Sequence, residues 1–246
     1  MRYDPDFPFG DAEPGDGPRV IGQIGQTLDG RVATATGRSL YINGRCALEH
    51  LHRLRAGVDA VLVGVGTVIA DDPRLTVRLC DGASPVRAVI DPHGRVPPGA
   101  RCLNDGATGT LVLCRDGVGV PGADRLTVPA GPDGTLDPGA ILAALARRGL
   151  HRVLVEGGPT TLSHFLRAGA VDELHVMVAP KIFGSGREGI TLPPIDRLEE
   201  ALHPETRTWL FEDGDVLFQC DLTQAPTASP RSTTRAAPAP RAARRS

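Results

Sequence analysis

Hydrophobic positions come in short continuous runs, separated by amphipathic stretches of about ten residues. The runs over residues 20–26, 59–64, 86–91, 110–114 and 174–178, and the one from Val153 to Glu156, read as strands buried on both faces; a closing hairpin reaches Leu222. Between them, Leu48, Leu51 and Leu54 recur at three-residue spacing and predict a helix through Arg55, with Asn43 as its N-cap. Asp137-Pro138 sets an acid at the cap and a proline at the first helical position of a second helix, through Ile141, Leu142 and Leu145 to Gly149. A third helix opens at Pro159. This alternation predicts an α/β fold: a largely parallel central sheet, helices on both faces and an antiparallel C-terminal edge. No internal repeat is present.

The stretch Val153-Leu154-Val155-Glu156-Gly157-Gly158-Pro159-Thr160-Thr161-Leu162 passes from buried strand to helix through a carboxylate and two glycines. In parallel sheets ligands sit beyond the carboxyl ends of the strands, so this junction lies at the functional rim. Gly-Gly-Pro reads equally as a tight strand-to-helix turn and as a place where a ligand phosphate meets the free amides of a helix start. Glu156 favours the second reading. A carboxylate closing a buried strand needs a partner, and substrate N–H groups are suited to the role.

Composition narrows the class. The chain has 246 residues, 41% hydrophobic and 23% charged, enough for one sizeable α/β domain. No 18-residue apolar window is present, and Met1-Arg2-Tyr3-Asp4-Pro5-Asp6 is acidic where a signal peptide is basic and then apolar, which argues against export. Five scattered cysteines, none in a CxxC pair, oppose a disulfide framework and a metal site and suit the cytoplasm. Five of the 27 basic residues fall in the Pro/Ala/Ser/Arg-rich segment 223–246, which carries no acid; it is expected to be disordered, like a flexible extension over residues 1–18. That segment lacks the interleaved aromatics of a single-strand binder, so neither a nucleic acid nor a membrane is an expected partner. Gly184-Ser185-Gly186-Arg187-Glu188-Gly189 satisfies G-x-G-x-x-G, but Pro193 and Pro194 stand where a nucleotide-binding helix would run, and it reads as a loop.

Thr27-Leu28-Asp29-Gly30-Arg31, Leu54-Arg55-Ala56, the run from Gly66-Thr67 through Asp71-Asp72-Pro73-Arg74-Leu75-Thr76-Val77-Arg78, Glu156-Gly157-Gly158-Pro159-Thr160, Val171-Asp172-Glu173-Leu174 and Ala179-Pro180-Lys181 together resemble the reductase domain of the bifunctional riboflavin-biosynthesis deaminase/reductase, over residues 19–222. The resemblance implies a dihydrofolate-reductase-like fold, a homodimer, and NADPH-dependent reduction of 5-amino-6-(5-phosphoribosylamino)uracil to its ribitylamino product, NADH being the lesser cofactor. The H-x-E and P-C-x-x-C signature of a zinc deaminase is missing, so the resemblance is to a reductase standing alone.

Carried over by position, the substrate contacts fall on Ser39, Arg55, Leu75, Arg78 and Glu156. The cofactor contacts fall on Gly25, Tyr41, Thr67, Asp71, Gly157, Gly158, Pro159, Thr160, Thr161, Leu162 and Ser163. Arg55 and Arg78 supply the forked donors that a phosphate ester requires. Asp71 is the candidate catalytic residue, orienting sugar hydroxyls or relaying a proton; its plainer reading is a helix N-cap. Tyr41 replaces the family's usual tryptophan. Pro92 replaces a serine that faces the adenosine end, where His93 and Arg95 either serve a 2′-phosphate or belong to a solvated loop. The rival readings are a pterin or dihydrofolate reductase and a non-catalytic NADPH-binding module.

Overall fold

The computed structural model describes residues 17–39 and 42–223. Apart from Gly17, Pro18 and Thr223, the expected N-terminal extension and C-terminal tail lie outside the described residues, and so does Tyr41. In chain order the elements are β1 (Arg19–Thr27), β2 (Arg31–Thr34), α1 (Arg45–Ala56), β3 (Ala60–Gly64), α2 (Val65–Asp71), β4 (Val86–Ile90), α3 (Arg101–Asn104), β5 (Thr110–Cys114), β6 (Asp124–Thr127), α4 (Pro138–Ala146), β7 (Arg152–Glu156), α5 (Pro159–Arg167), β8 (Glu173–Ala179), β9 (Gly186–Glu188), β10 (Glu205–Leu210) and β11 (Val216–Asp221).

Nine strands form one sheet in the order β10-β11-β8-β1-β7-β3-β4-β5-β6. Every pair from β8 to β6 is parallel, while β11 runs antiparallel to both β8 and β10. This is the mostly parallel sheet with an antiparallel C-terminal edge that the apolar runs predict. The runs are continuous because successive residues serve opposite cores. Val153 and Val155 of β7 pack with Leu62, Leu145, Phe165 and Leu166 under α4 and α5. Leu154 packs with Val61, Val63, Leu54 and Val68 under α1 and α2.

Three local expectations are corrected. The N-cap of α1 is Gly44, and Asn43 instead turns its side-chain amide toward the Met177 carbonyl at 3.4 Å. The turn between β10 and β11 supplies the capping groups: Asp215 accepts from the Gly44 amide at 2.7 Å and Asp213 from the Cys46 amide at 2.9 Å. Carboxylates at the positive end of a helix gain from its dipole as well as the hydrogen bond, which a neutral asparagine cannot match. Second, Asp71 is not an N-cap but the last residue of α2; its neighbour Asp72 is that helix's C-cap, turns left-handed (φ 41°) and accepts from the Arg101 amide and guanidinium, both at 2.8 Å. Third, the G-x-G-x-x-G segment is partly a strand, β9 pairing with β2, and no helix follows it. Asp137 caps α4 as expected, accepting from the Ala140 amide at 2.9 Å.

Candidate functional site

Beyond the carboxyl ends of β1, β3 and β7 opens a cleft of about 1170 Å³. Its wall includes Gly25 from β1, Thr67 and Asp71 from α2, Ser39, and the whole junction from Glu156 to Thr161 with Ser163. Leu162 is the exception in that segment, its side chain fully buried in the core under α5. Leu48 and Leu51 of α1 also face the cleft, whereas Leu54 one turn further on is core. The three-residue leucine spacing thus serves two surfaces.

The glycines of the rim are explained first by packing. A Cβ on Gly64 would lie 2.5 Å from Thr161 Oγ1, and one on Gly157 3.1 Å from Thr161 Cβ. One on Gly158 would lie 3.2 Å from Thr67 Oγ1, which accepts the Gly158 amide at 3.1 Å. None of the three adopts a positive φ, so what they provide is room: two strand-to-helix turns interlock with a threonine from each seated on a glycine of the other. Gly25 is similar, since the side chain of Asn43 occupies the space a Cβ would take. Gly64→Ala is therefore expected to cost about 1–3 kcal/mol of stability, the usual penalty for overpacking, and Thr161→Ala in the same chain to recover most of it. Equal urea midpoints for the single and double variants would exclude the interlock.

Glu156 has its partner within the chain. Arg55 Nε donates to Glu156 Oε1 at 2.7 Å, Arg55 Nη2 donates to Oε2, and Nη1 donates to the Thr76 carbonyl at 3.0 Å. Burial opposes the Arg55 charge, but the Glu156 carboxylate more than offsets it and holds the guanidinium above its ordinary pKa. Arg55 is thus fully engaged behind Glu156 rather than turned into the cleft, and the fork expected to meet a phosphate meets a carboxylate.

Arg78 converges on the same carbonyl. Its Nη1 donates to Thr76 Oγ1 at 2.8 Å and to the Thr76 carbonyl at 3.3 Å, and its amide donates to His52 Nδ1 at 2.8 Å. Burial, with Arg55 and Arg74 close by, pulls the Arg78 pKa down. Neither arginine nor Leu75 belongs to the cleft wall. Leu75 is buried beside Leu54 and Val68 with φ 57°, a left-handed conformation that costs on the order of 1 kcal/mol in a non-glycine residue and that its packing sustains.

Ser39 and Asp71 do meet, the hydroxyl donating to Asp71 Oδ1 at 3.5 Å across the mouth of the cleft. Three lining residues, Thr135, His164 and Arg167, carry no sequence signal of their own and enter the wall through tertiary placement, as do Asn43 and Arg187, which the sequence offered for other places. Lys181 is the chain's single lysine, and its ammonium donates to the Ile42 carbonyl at 2.6 Å, anchoring the segment that leads into α1.

Comparison with known proteins fits this geometry. The chain is 39% identical over 211 residues to the 2,5-diamino-6-ribosylamino-4(3H)-pyrimidinone 5′-phosphate reductase of Methanothermobacter thermautotrophicus, covering 82% of this chain and 97% of that protein. It is 36% identical over 199 residues to the riboflavin biosynthesis protein RibD of Mycobacterium tuberculosis, covering 79% of this chain but only 50% of the other. Among solved structures, the deaminase/5-amino-6-(5-phosphoribosylamino)uracil reductase of Thermotoga maritima superposes with a TM-score of 0.71 at 28% identity, covering 83% of this chain and 56% of that one. The chain therefore spans about half the length of the two-activity proteins and nearly all of the archaeal reductase. The match over residues 18–207 to the RibD C-terminal domain places this chain in that family.

Proposed function

We propose that this protein is an NADPH-dependent reductase of riboflavin biosynthesis, acting on a ribosylaminopyrimidine 5′-phosphate in the cytoplasm. The observation that carries the reading is the carboxylate at the end of β7, held by Arg55 at the wall of a cleft large enough for two ligands, in a chain that matches an archaeal reductase almost end to end. The cleft suits a dinucleotide. The Gly158 amide is held by Thr67, the Thr161 amide by the Gly158 carbonyl, and Pro159 has no N–H, so the Thr160 amide at the start of α5, with the room left at Gly157 and Gly158, is what the turn offers a pyrophosphate. When bound, a reduced nicotinamide supplies hydride.

The chain's own part is positioning. Glu156, its two oxygens fixed by Arg55, presents its remaining lone pairs to pyrimidine N–H groups. Asp71, with Ser39, orients the sugar hydroxyls or relays a proton from the amine nitrogen to the ring oxygen as the ribosylamine opens to its imine, whose C1 is electrophilic and needs alignment more than strong acid catalysis. The relatives' names divide between the diaminopyrimidinone and the deaminated uracil, so both belong in the assay. Loss of NADPH absorbance is expected with the diaminopyrimidinone phosphate, the substrate named for the relative matched over nearly its whole length. No loss with either pyrimidine at saturating concentration would overturn the proposal, and turnover of dihydrofolate instead would transfer it to the pterin reading.

A further inference from the structure

The turn that follows α2 takes its hydrogen bonds from side chains. Among the described residues, none of 73–79 takes part in a backbone-to-backbone hydrogen bond, and Leu75 in their midst keeps φ 57°. Neighbouring elements supply the partners instead. Arg87 Nη1 donates to the Arg74 carbonyl at 3.3 Å, Arg55 Nη1 to the Thr76 carbonyl at 3.0 Å, the Val77 amide to Ser84 Oγ at 3.0 Å and the Arg78 amide to His52 Nδ1 at 2.8 Å. A backbone in a sparsely populated conformation persists only where its surroundings over-determine it, so these side chains set where the turn lies.

Two of these partners share one face of α1. His52 and Arg55 stand three residues apart, and the first accepts from the turn where the second donates to it. His52 is 3% exposed, and a backbone amide can only donate, so Nδ1 is unprotonated and the ring proton sits on Nε2. Burial, then the charges of Arg55 and Arg78, lower the ring to about 4, which keeps that lone pair available at neutral pH. Arg55 spans the Thr76 carbonyl and both oxygens of Glu156, and of these three residues only Glu156 lines the cleft. Resting on the proposed function, we infer that His52 is a positioning residue for the pyrimidine: it holds the turn in the place where the Thr76 carbonyl and Glu156 share one guanidinium, and so aims the Glu156 carboxylate. Arg55 alone cannot fix that geometry. With the Arg78 amide released, the Thr76 carbonyl can move with its strained turn, and the guanidinium loses the second of its two anchors.

Steady-state kinetics of the full chain with NADPH and the diaminopyrimidinone phosphate separate positioning from a general structural role. His52→Leu fills the space but offers the Arg78 amide no lone pair. It is expected to raise the pyrimidine KM roughly five- to fiftyfold while kcat and the NADPH KM move by less than about twofold, since a contact made alike in ground and transition states is lost. His52→Asn puts Oδ1 where Nδ1 stood and should bring the pyrimidine KM back to within about threefold of the wild type, whereas His52→Gln carries its amide to the Nε2 side and should not. Leu145→Ala, in the core on the other face of the sheet, is the control: it should lower the urea midpoint and leave the pyrimidine KM unchanged. Should His52→Leu fail to fold, the Asn and Gln variants make the same comparison. An unchanged pyrimidine KM in His52→Leu, or equal values in His52→Asn and His52→Gln, overturns the inference and leaves the reductase assignment standing. In a chain that turns over no pyrimidine the reductase assignment falls, and nitrogen NMR then judges His52, its signal identified by its loss in His52→Asn. The ring should remain the Nε2-protonated tautomer down to about pH 5, and a proton on Nδ1 at neutral pH would sink the inference.

Discussion

Replacing Arg55 by methionine is expected to destabilise the protein by about 3 kcal/mol and to abolish useful pyrimidine binding. Both partners are largely buried, with side chains 7% and 11% exposed, so removing one leaves an uncompensated carboxylate at the end of β7 and leaves the Thr76 carbonyl with only the 3.3 Å bond from Arg78. Breaking a buried pair from one side costs about 3–5 kcal/mol, and the lower end applies because Glu156 borders the cleft and recovers some hydration there. The double variant Arg55→Met/Glu156→Gln should regain a good part of the loss, since a neutral amide at that position is far less costly than an unpaired charge. Urea unfolding with an unchanged m-value would give the comparison. A single-variant loss under about 1 kcal/mol would show that the pair contributes to ligand geometry alone.

Acid should unfold the protein well before its carboxylates titrate in bulk. His50 and His52, two residues apart on α1, are both held uncharged. Burial, then His175 and Arg53, lower His50 to about 3, while burial, then Arg55 and Arg78, lower His52 to about 4. His50 Nε2 lies 2.9 Å from His175 Nδ1, and His175 Nε2 lies 2.6 Å from Glu173 Oε1. The folded-state values lie below the unfolded value of about 6.5, so the unfolded chain takes up protons first. The associated stability is fully present above about pH 6.5 and is lost as pH falls toward 4 and then 3. Near pH 5 two histidines are protonated only in the unfolded state, giving a slope on the order of 2 kcal/mol per pH unit. Glu173 acts in the same direction at lower pH, because its hydrogen bonds hold it below its ordinary value despite burial. His52→Asn should flatten the slope by about one proton. A stability curve that is level from pH 6 to 4.5 would rule the account out.

The strands were legible wherever both faces are buried, because a run such as Ala60-Val61-Leu62-Val63 has no other use for its apolar residues. The elements that periodicity missed are short or exposed. β6, Asp-Arg-Leu-Thr at the sheet edge, is mostly exposed and has no alternating pattern, and β9 lies inside a glycine-rich motif. α2 follows β3 directly with no side-chain cap, so its apolar residues merge with the strand's. In the site, the residue types at the rim were readable but their partners were not. Glu156 meets Arg55, 101 residues away, and Gly44 meets Asp215, 171 residues away. Local sequence offers Asn43 as a cap and substrate as a carboxylate partner because it contains no information on what the sheet brings alongside. Gly157 and Gly158 read either as a tight turn or as room for a ligand, and what their geometry displays is packing, a threonine interlock that also involves Gly64.

The placement of β1 between β7 and β8 also bears on how the protein is made. Its partners begin only at Arg152 and Glu173, so the strand of this sheet that is synthesised first is among the last to be paired. At ordinary elongation rates it waits on the order of ten seconds with both edges open, while β3, β4 and β5 are already able to assemble. During that interval a nascent chain carries an apolar strand with two unsatisfied edges, the kind of segment that chaperones hold and that mispairs when they are scarce. Yield of soluble protein should thus respond to translation speed and chaperone supply more strongly than the stability of the finished fold would suggest.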